Sequence, residues 1–444
     1  MTGLALLGLG LAAVVLLLVM VIWLRVPAFV ALLVVALATA VLSGIPLSES
    51  VGVVTGGIGN TLGSVTVVVG LGAMLGRIIE ASGGADALAR YFTGKLSARH
   101  VVAAIVAAAF ILGIPVFFDV GFIILAPIVF GFARTAGINP LKIGLPVAGT
   151  LLTVHVTLPP HPGPVAAAEI VGAEIGTMLA SGLPLAAITV VIGYFAAKLF
   201  NVDRMVLGDS PATETPEAVT NPPSAWTVIG VILLPIVQIL VGTAGSLVTV
   251  EGSTAHEIIA FVGAAPVALL TAVIIAWIVI GRQQGWSLSR GSSLIDSALP
   301  AVAIVIFVTG AGGAFAGVLV KSGIGQVLSD LLVDTNMPLI LTAYLMALAL
   351  RASQGSATVS MLTTAGLLAT PIVDAGIDGV HAALIALVIG FGSLGLSHVN
   401  DSGFWIVTRY QGLTVKQGLQ TWTLLSTVFS LVGFILSWGV YAVI

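Results

Sequence analysis

The sequence predicts an all-α polytopic membrane protein of roughly 10–14 spans, built as two inverted-topology repeats with broken helices and re-entrant hairpins. Three observations carry this. First, Lys plus Arg number 15 and Asp plus Glu 18, only 7% of 444 residues, where a soluble domain carries about 25%. Second, apolar residues make up 58% of the chain and fall in continuous runs. Such runs suit spanning helices and exclude a β-barrel, whose strands alternate. Third, landmarks of the first half return in the second.

The composition excludes several classes. So little charge cannot cover a water-facing surface of this size. Disorder needs low hydrophobicity and high net charge. A net charge of −3 with no basic stripe excludes nucleic-acid binding. There are no cysteines, so disulfides, thiolate metal sites and Cys nucleophiles are absent.

In chain order, the run Leu4–Leu24 is too long for a signal-peptide core and lacks a small-residue cleavage site, so it reads as a retained helix. Further spans are expected near 28–45, 58–80, 100–118, 120–136, 141–158 and 182–200. Residues 201–224 hold Asp203, Arg204, Asp209, Glu214 and Glu217 among four prolines and form the long hydrophilic linker. Spans resume near 226–249, 256–281, 298–320, 338–350, 358–373, 380–396 and 418–443. The division is therefore a first repeat over 1–200, a linker over 201–224 and a second repeat over 225–444.

Gly70, Gly72, Ser82, Gly83 and Leu88 fall on Gly310, Gly312, Ser322, Gly323 and Leu328 at a constant offset of 240. His155-Val156 falls near His398-Val399, at an offset of 243. Positive charge prefers the cytoplasm. Arg25 follows the first span, and Arg77, Arg90, Lys95 and Arg99 surround the first Ser-Gly. Lys198 and Arg204 place the linker inside, as Arg282 and Arg290 do the later loop. The second Ser-Gly, where Asp330 and Asp334 offset Lys321, then falls outside. Opposite sides for matching loops mean an inverted repeat, the architecture of many secondary transporters.

In such folds the substrate sits between broken helices, marked by polar groups inside apolar sequence. Asp119 stands in a long apolar context, where a carboxyl group suits proton coupling. The alternative is a carboxylate at a helix end. The segment Thr153-Val-His-Val-Thr-Leu-Pro-Pro-His-Pro-Gly-Pro164 cannot continue a helix, and irregular backbone at membrane depth belongs beside a watery cavity. His155 and His161 are candidate donors to a substrate there. Arg351-Ala-Ser-Gln-Gly-Ser-Ala-Thr-Val-Ser360 reads as a broken helix offering backbone N–H groups and the hydroxyls of Ser356 and Thr358 to a carboxylate. Arg351 suits an anion and equally a cytoplasmic anchor. Ser397-His-Val-Asn-Asp-Ser-Gly403 gathers His398, Asn400, Asp401 and Ser402, groups suited to a polyhydroxylated molecule, although the string is also turn-like. Substrate binding is thus expected at His155, His161, Ser356, Thr358, Asn400, Asp401 and Ser402, and proton coupling at Asp119, Asp401 or His398.

Other features carry less. Glu80 and Arg77 are spaced to pair on one helix. Glu169 and Glu174 suit an interface. His256-Glu257 lacks the second histidine of a metalloprotease motif, and there is no Walker A string. No metal site, cofactor or catalytic residue is implied.

Together the segments resemble the gluconate permease family, within the wider group of secondary carriers with paired re-entrant hairpins, similar to the ion-transporter superfamily. The resemblance rests on Pro115-Val-Phe-Phe-Asp-Val-Gly-Phe-Ile-Ile-Leu-Ala-Pro127, His155 with Pro159-Pro-His-Pro-Gly-Pro164, Gly355-Ser-Ala-Thr-Val359 and Ser397-His-Val-Asn-Asp-Ser-Gly-Phe-Trp405. It runs in order from about residue 58 to 422; the first 57 residues add little. It implies proton-driven import of a sugar acid, D-gluconate foremost, across a bacterial inner membrane. Family members also carry fructuronate, idonate, glycerate or D-serine. A homodimer is compatible with the resemblance. Sodium coupling stays open, since hydroxyls and unwound carbonyls near Ser356 suit Na⁺ as well. A membrane enzyme or a channel is the more distant alternative.

Overall fold

A computed structural model describes residues 3–93, 98–114, 116–159, 161–208, 221–250, 252–327 and 337–444. Among these residues every regular element is a helix. The first half holds α1 (Gly3–Ile22), α2 (Ala28–Ser43), α3 (Leu47–Ala81), α4 (Gly84–Thr93), α5 (Ala98–Gly113), α6 (Phe118–Ala136), α7 (Leu141–Thr157), α8 (Pro162–Ile170) and α9 (Ile175–Ala197). The second holds α10 (Ala225–Val248), α11 (Thr254–Gly263), α12 (Ala265–Gln283), α13 (Leu288–Asp296), α14 (Ala298–Lys321), α15 (Leu339–Gln354), α16 (Ala357–Asp374), α17 (Gly379–Leu394), α18 (Ser402–Tyr410) and α19 (Val415–Tyr441). Among the described residues, eight helices are long and apolar enough to cross a membrane, or nine if the bent α3 counts as one span. Shorter apolar helices, α5 and α15 among them, flank the chain breaks.

The order of elements runs in parallel through the halves. A helix, a break and a helix (α5, α6) precede a broken helix (α7, α8) and a long one (α9). The set α15, α16, α17, α18 and α19 repeats that series. Gly83 and Gly323, the residues after α3 and α14 in the matched Ser-Gly pairs, both take positive φ, 69° and 76°.

The halves interleave. α3 packs along α14, α8 on α16, and α9 on both α17 and α19. The α3–α14 approach rests on glycine: a Cβ on Gly57 would lie 3.0 Å from the Ala314 Cα. Small residues allow such contact where lipid offers no hydrophobic drive between helices.

Two spans depart from expectation. α3 begins at Leu47, well before residue 58, because Pro46 starts it and the polar Ser48-Glu49-Ser50 disguises its first turn. The run 256–281 is two helices, because Pro266 in the first turn of α12 cannot continue α11. The linker enters as a short turn over Val202–Arg204. Asn139 Nδ2 donates to the Val202 carbonyl at 2.7 Å, Lys142 pairs with Asp203 at 2.7 Å, and Gly208 N–H donates to Gly412 O at 2.8 Å. Its centre, with Asp209, Glu214 and Glu217, lies outside the described residues, as do Lys95, Leu328, Asp330 and Asp334.

Candidate functional site

The second-half breaks meet first. α15 ends at Gly355, whose φ of 71° is a left-handed conformation natural to glycine. Ser356 then caps α16, accepting from Val359 N–H at 3.3 Å. The break between α17 and α18 folds onto this turn. Asn400 Nδ2 donates to the carbonyls of Ala352 at 2.8 Å and Ser353 at 2.9 Å. Asp401 caps α18 through Gly403 N–H at 3.0 Å and takes further bonds from Ser397 Oγ and Arg351 Nη2. Arg351 also donates from Nη1 to Gly355 O at 3.0 Å. Arg351 is 2% exposed, so it is a buried partner of Asp401 and not a surface anchor. A buried charge is tolerated only when paired in this way.

The first-half breaks face this assembly. α5 ends at Gly113 and α6 begins at Phe118, and Asp119 sits half-buried in the first turn of α6. The prolines stop α7 at Thr157 and restart the chain at Pro162. Around that break the rings of His155 and His161 meet edge to face at 4.7 Å, with Phe117 against both. A Cβ on Gly163 would lie 3.2 Å from Met361 Sδ and 3.6 Å from Thr358 Oγ1, so the start of α8 abuts the start of α16.

A cavity of about 670 Å³ opens between the two sets of breaks, within the usual range for small-molecule sites. Asp119, His155, Ser356, Thr358, Asn400, Asp401 and Ser402 all line it. So do Arg351, Gln354 and Thr309, which sequence reasoning either left ambiguous or missed. The N-terminal turns of α6, α16 and α18 converge on it, bringing backbone N–H groups and positive dipole ends. Among the described residues, several buried polar atoms have no hydrogen-bond partner: Arg351 Nε, Gln354 Oε1, Asn400 Oδ1, Thr309 Oγ1 and His155 Nδ1. Buried polar atoms are normally satisfied, so this set is poised for a ligand bearing both an anionic group and hydrogen-bond donors.

A family profile for GntP family permeases matches residues 4–444. The chain belongs to that family. It is 48% identical to the inner membrane permease YgbN of Escherichia coli, with 100% of each chain covered. It is 37% identical to a gluconate permease of Pseudomonas aeruginosa, covering 93% of this chain and 92% of that one. It is 34% identical to the Gnt-II system L-idonate transporter of E. coli, with 97% of each covered. The protein is therefore a multi-pass membrane permease that moves a small molecule, not an enzyme.

Two expected site residues stand behind the wall of the permease cavity. His161 Nε2 donates to Gly113 O at 2.7 Å, and His398 Nε2 to Ala352 O at 2.7 Å. Each ties a broken helix to a carbonyl at the end of the neighbouring hairpin's first helix. In this role His398 corresponds to His161, not to His155 as the sequence offset suggests. Glu169 and Glu174 are exposed, and Arg77 pairs with Glu80 at 3.4 Å.

Gly355 gives a direct test of this geometry. An alanine Cβ there would lie 2.7 Å from the Asn400 carbonyl carbon, and the backbone strain alone costs about 1–3 kcal/mol. Gly355→Ala is expected to lower the thermal unfolding midpoint in detergent and to reduce uptake to background. Normal stability with normal uptake would contradict the geometry.

Proposed function

We propose that this permease imports a sugar acid by proton symport, with D-gluconate its foremost substrate, across the bacterial inner membrane. The observation that carries this is the convergence on one cavity of helix N-termini, Arg351 and unpartnered acceptors. The substrate carboxylate takes the N-terminal turns of α16 and α18, the hydroxyls of Ser356, Thr358 and Ser402, and Arg351 Nε. Its hydroxyl groups donate to Asn400 Oδ1 and Gln354 Oε1 and reach His155 at the far side. The gluconate and L-idonate carriers among its relatives agree with that chemistry.

Asp119 is the proton carrier best suited by position. It faces the cavity with no ion pair or hydrogen bond among the described residues. Asp401 already accepts from three donors, which makes it a fixed counter-charge for Arg351. His161 and His398 serve as ties that hold the breaks in place. A monoanion loaded with one proton adds no net charge, which lowers the electrostatic cost of moving the site across a low-dielectric barrier. The segments 1–200 and 225–444 then act as inverted repeats whose relative motion exposes the cavity to each side in turn.

The test is uptake of labelled D-gluconate into proteoliposomes with an inward proton gradient, a sodium gradient, or neither. Accumulation above equilibrium with protons alone, competed by L-idonate and not by D-glucose, is expected. Accumulation with sodium alone would overturn the proton roles. Equilibration without accumulation under any gradient would overturn symport itself.

A further inference from the structure

Trp422 lies outside the cavity, yet it touches both sides of the site. Its helix, α19, is interrupted by a π-turn over Leu419–Thr423, a distortion often found at functional sites. In a regular helix adjacent residues face different directions. Here Trp422 and Thr423 both reach Ser397. Trp422 Nε1–H donates to Ser397 Oγ at 2.7 Å, and Thr423 Oγ1 donates to Ser397 O at 2.5 Å. One turn on, Thr427 Oγ1 accepts from Leu396 N–H at 3.1 Å. Leu396 has φ of 52°, a strained value for a side-chain-bearing residue that surrounding structure must enforce.

The bonds form a directed chain. The indole donates to the Ser397 hydroxyl, which leaves that hydroxyl's hydrogen for Asp401. Asp401 in turn holds Arg351 Nη2. With Nη1 on Gly355 O, the guanidinium is fixed in the orientation that leaves Nε free. The ring of Trp422 stacks on that of Phe118, centroids 6.0 Å apart, next to Asp119 in the chain. Trp422 is fully buried.

We infer that Trp422 is a positioning residue of the substrate site, acting through Ser397 and Asp401 to orient Arg351 and through Phe118 to seat the start of α6. This rests on the sugar-acid reading above. It adds a determinant that no sequence motif marks, held on a helix that does not line the cavity.

The experiment is calorimetric titration of D-gluconate, with L-idonate as second probe, into the purified full chain in detergent. Trp422→Phe keeps the stacked ring and removes the N–H; Ser397→Ala removes the middle of the chain. Each is expected to weaken Kd about tenfold, a loss of about 1.4 kcal/mol. The double variant is expected to be no weaker than either single, because both cut the same chain. If the two residues acted on the site independently, the losses would multiply to about a hundredfold, and that result would overturn the inference. So would an unchanged Kd in Ser397→Ala, which stands as the test if Trp422→Phe does not fold. Binding by neither probe to the unaltered protein would overturn the sugar-acid reading and this inference with it. Binding to the unaltered protein with both variants unchanged would overturn this inference alone.

Discussion

Asp119→Asn is expected to keep D-gluconate binding within a few-fold and to abolish uphill uptake. The carboxamide has the same shape and stays in the first turn of α6, so the cavity wall is preserved. The change removes only the ability to bind and release a proton. Because no described partner holds Asp119 through an ion pair, its neutral replacement leaves no buried charge behind, and the fold should not suffer. The variant should still exchange labelled for unlabelled D-gluconate down a gradient, while an imposed proton gradient produces no accumulation. Retained proton-driven accumulation would assign the proton to another group, with Asp401 and His398 the next to test.

Arg351→Gln is expected to eliminate uptake and to destabilise the protein. It strands Asp401, 2% exposed, without its counter-charge, and breaking a buried pair in this way costs about 3–5 kcal/mol. Adding Asp401→Asn should recover most of that stability, since a neutral pair replaces a lone charge, yet uptake should stay at background because the carboxylate has lost its cation. Thermal unfolding in detergent and uptake in proteoliposomes separate the two effects. Arg351→Lys keeps the charge and loses the planar fork that reaches Asp401, Gly355 and the cavity together, so it should fold and bind weakly. Uptake in the neutral double variant would remove Arg351 from the site.

Much of this site was legible in the sequence because a membrane makes polar residues costly. Asp119 stood out in apolar sequence, and the prolines around His161 forbade a continuous helix. Ser356, Thr358, Asn400 and Ser402 were visible as small polar groups at Gly-rich breaks. Arg351 was ambiguous, because a basic residue at a helix end is also the mark of a cytoplasmic anchor. Only the fold brings Asp401, 50 residues later, against it. Gln354 stands in the broken-helix string from Arg351 to Ser360, but nothing in the sequence singles it out from its polar neighbours; Thr309 gave no signal, being a single uncharged polar residue in an ordinary apolar helix. His161 reads in the sequence as a substrate ligand and His398 as a proton carrier, since a histidine looks the same whether it meets a substrate, a proton or a carbonyl. Helix boundaries failed where polarity misled: Glu49 disguised the start of α3, and an apolar run hid the division at Pro266.

The most direct test of the account is substrate protection of a single cysteine, which the absence of native cysteine makes clean. Val359 lines the cavity on α16 and is 36% exposed, and its side chain has no assigned part in binding. Val373, near the far end of the same helix, is 73% exposed and serves as control. Labelling of Val359→Cys by a membrane-permeant maleimide should slow severalfold with saturating D-gluconate and stay unchanged with D-glucose, while Val373→Cys is unaffected by either. Equal labelling of Val359→Cys with and without D-gluconate, in protein that still transports it, would contradict the claim that this cavity is where the sugar acid binds.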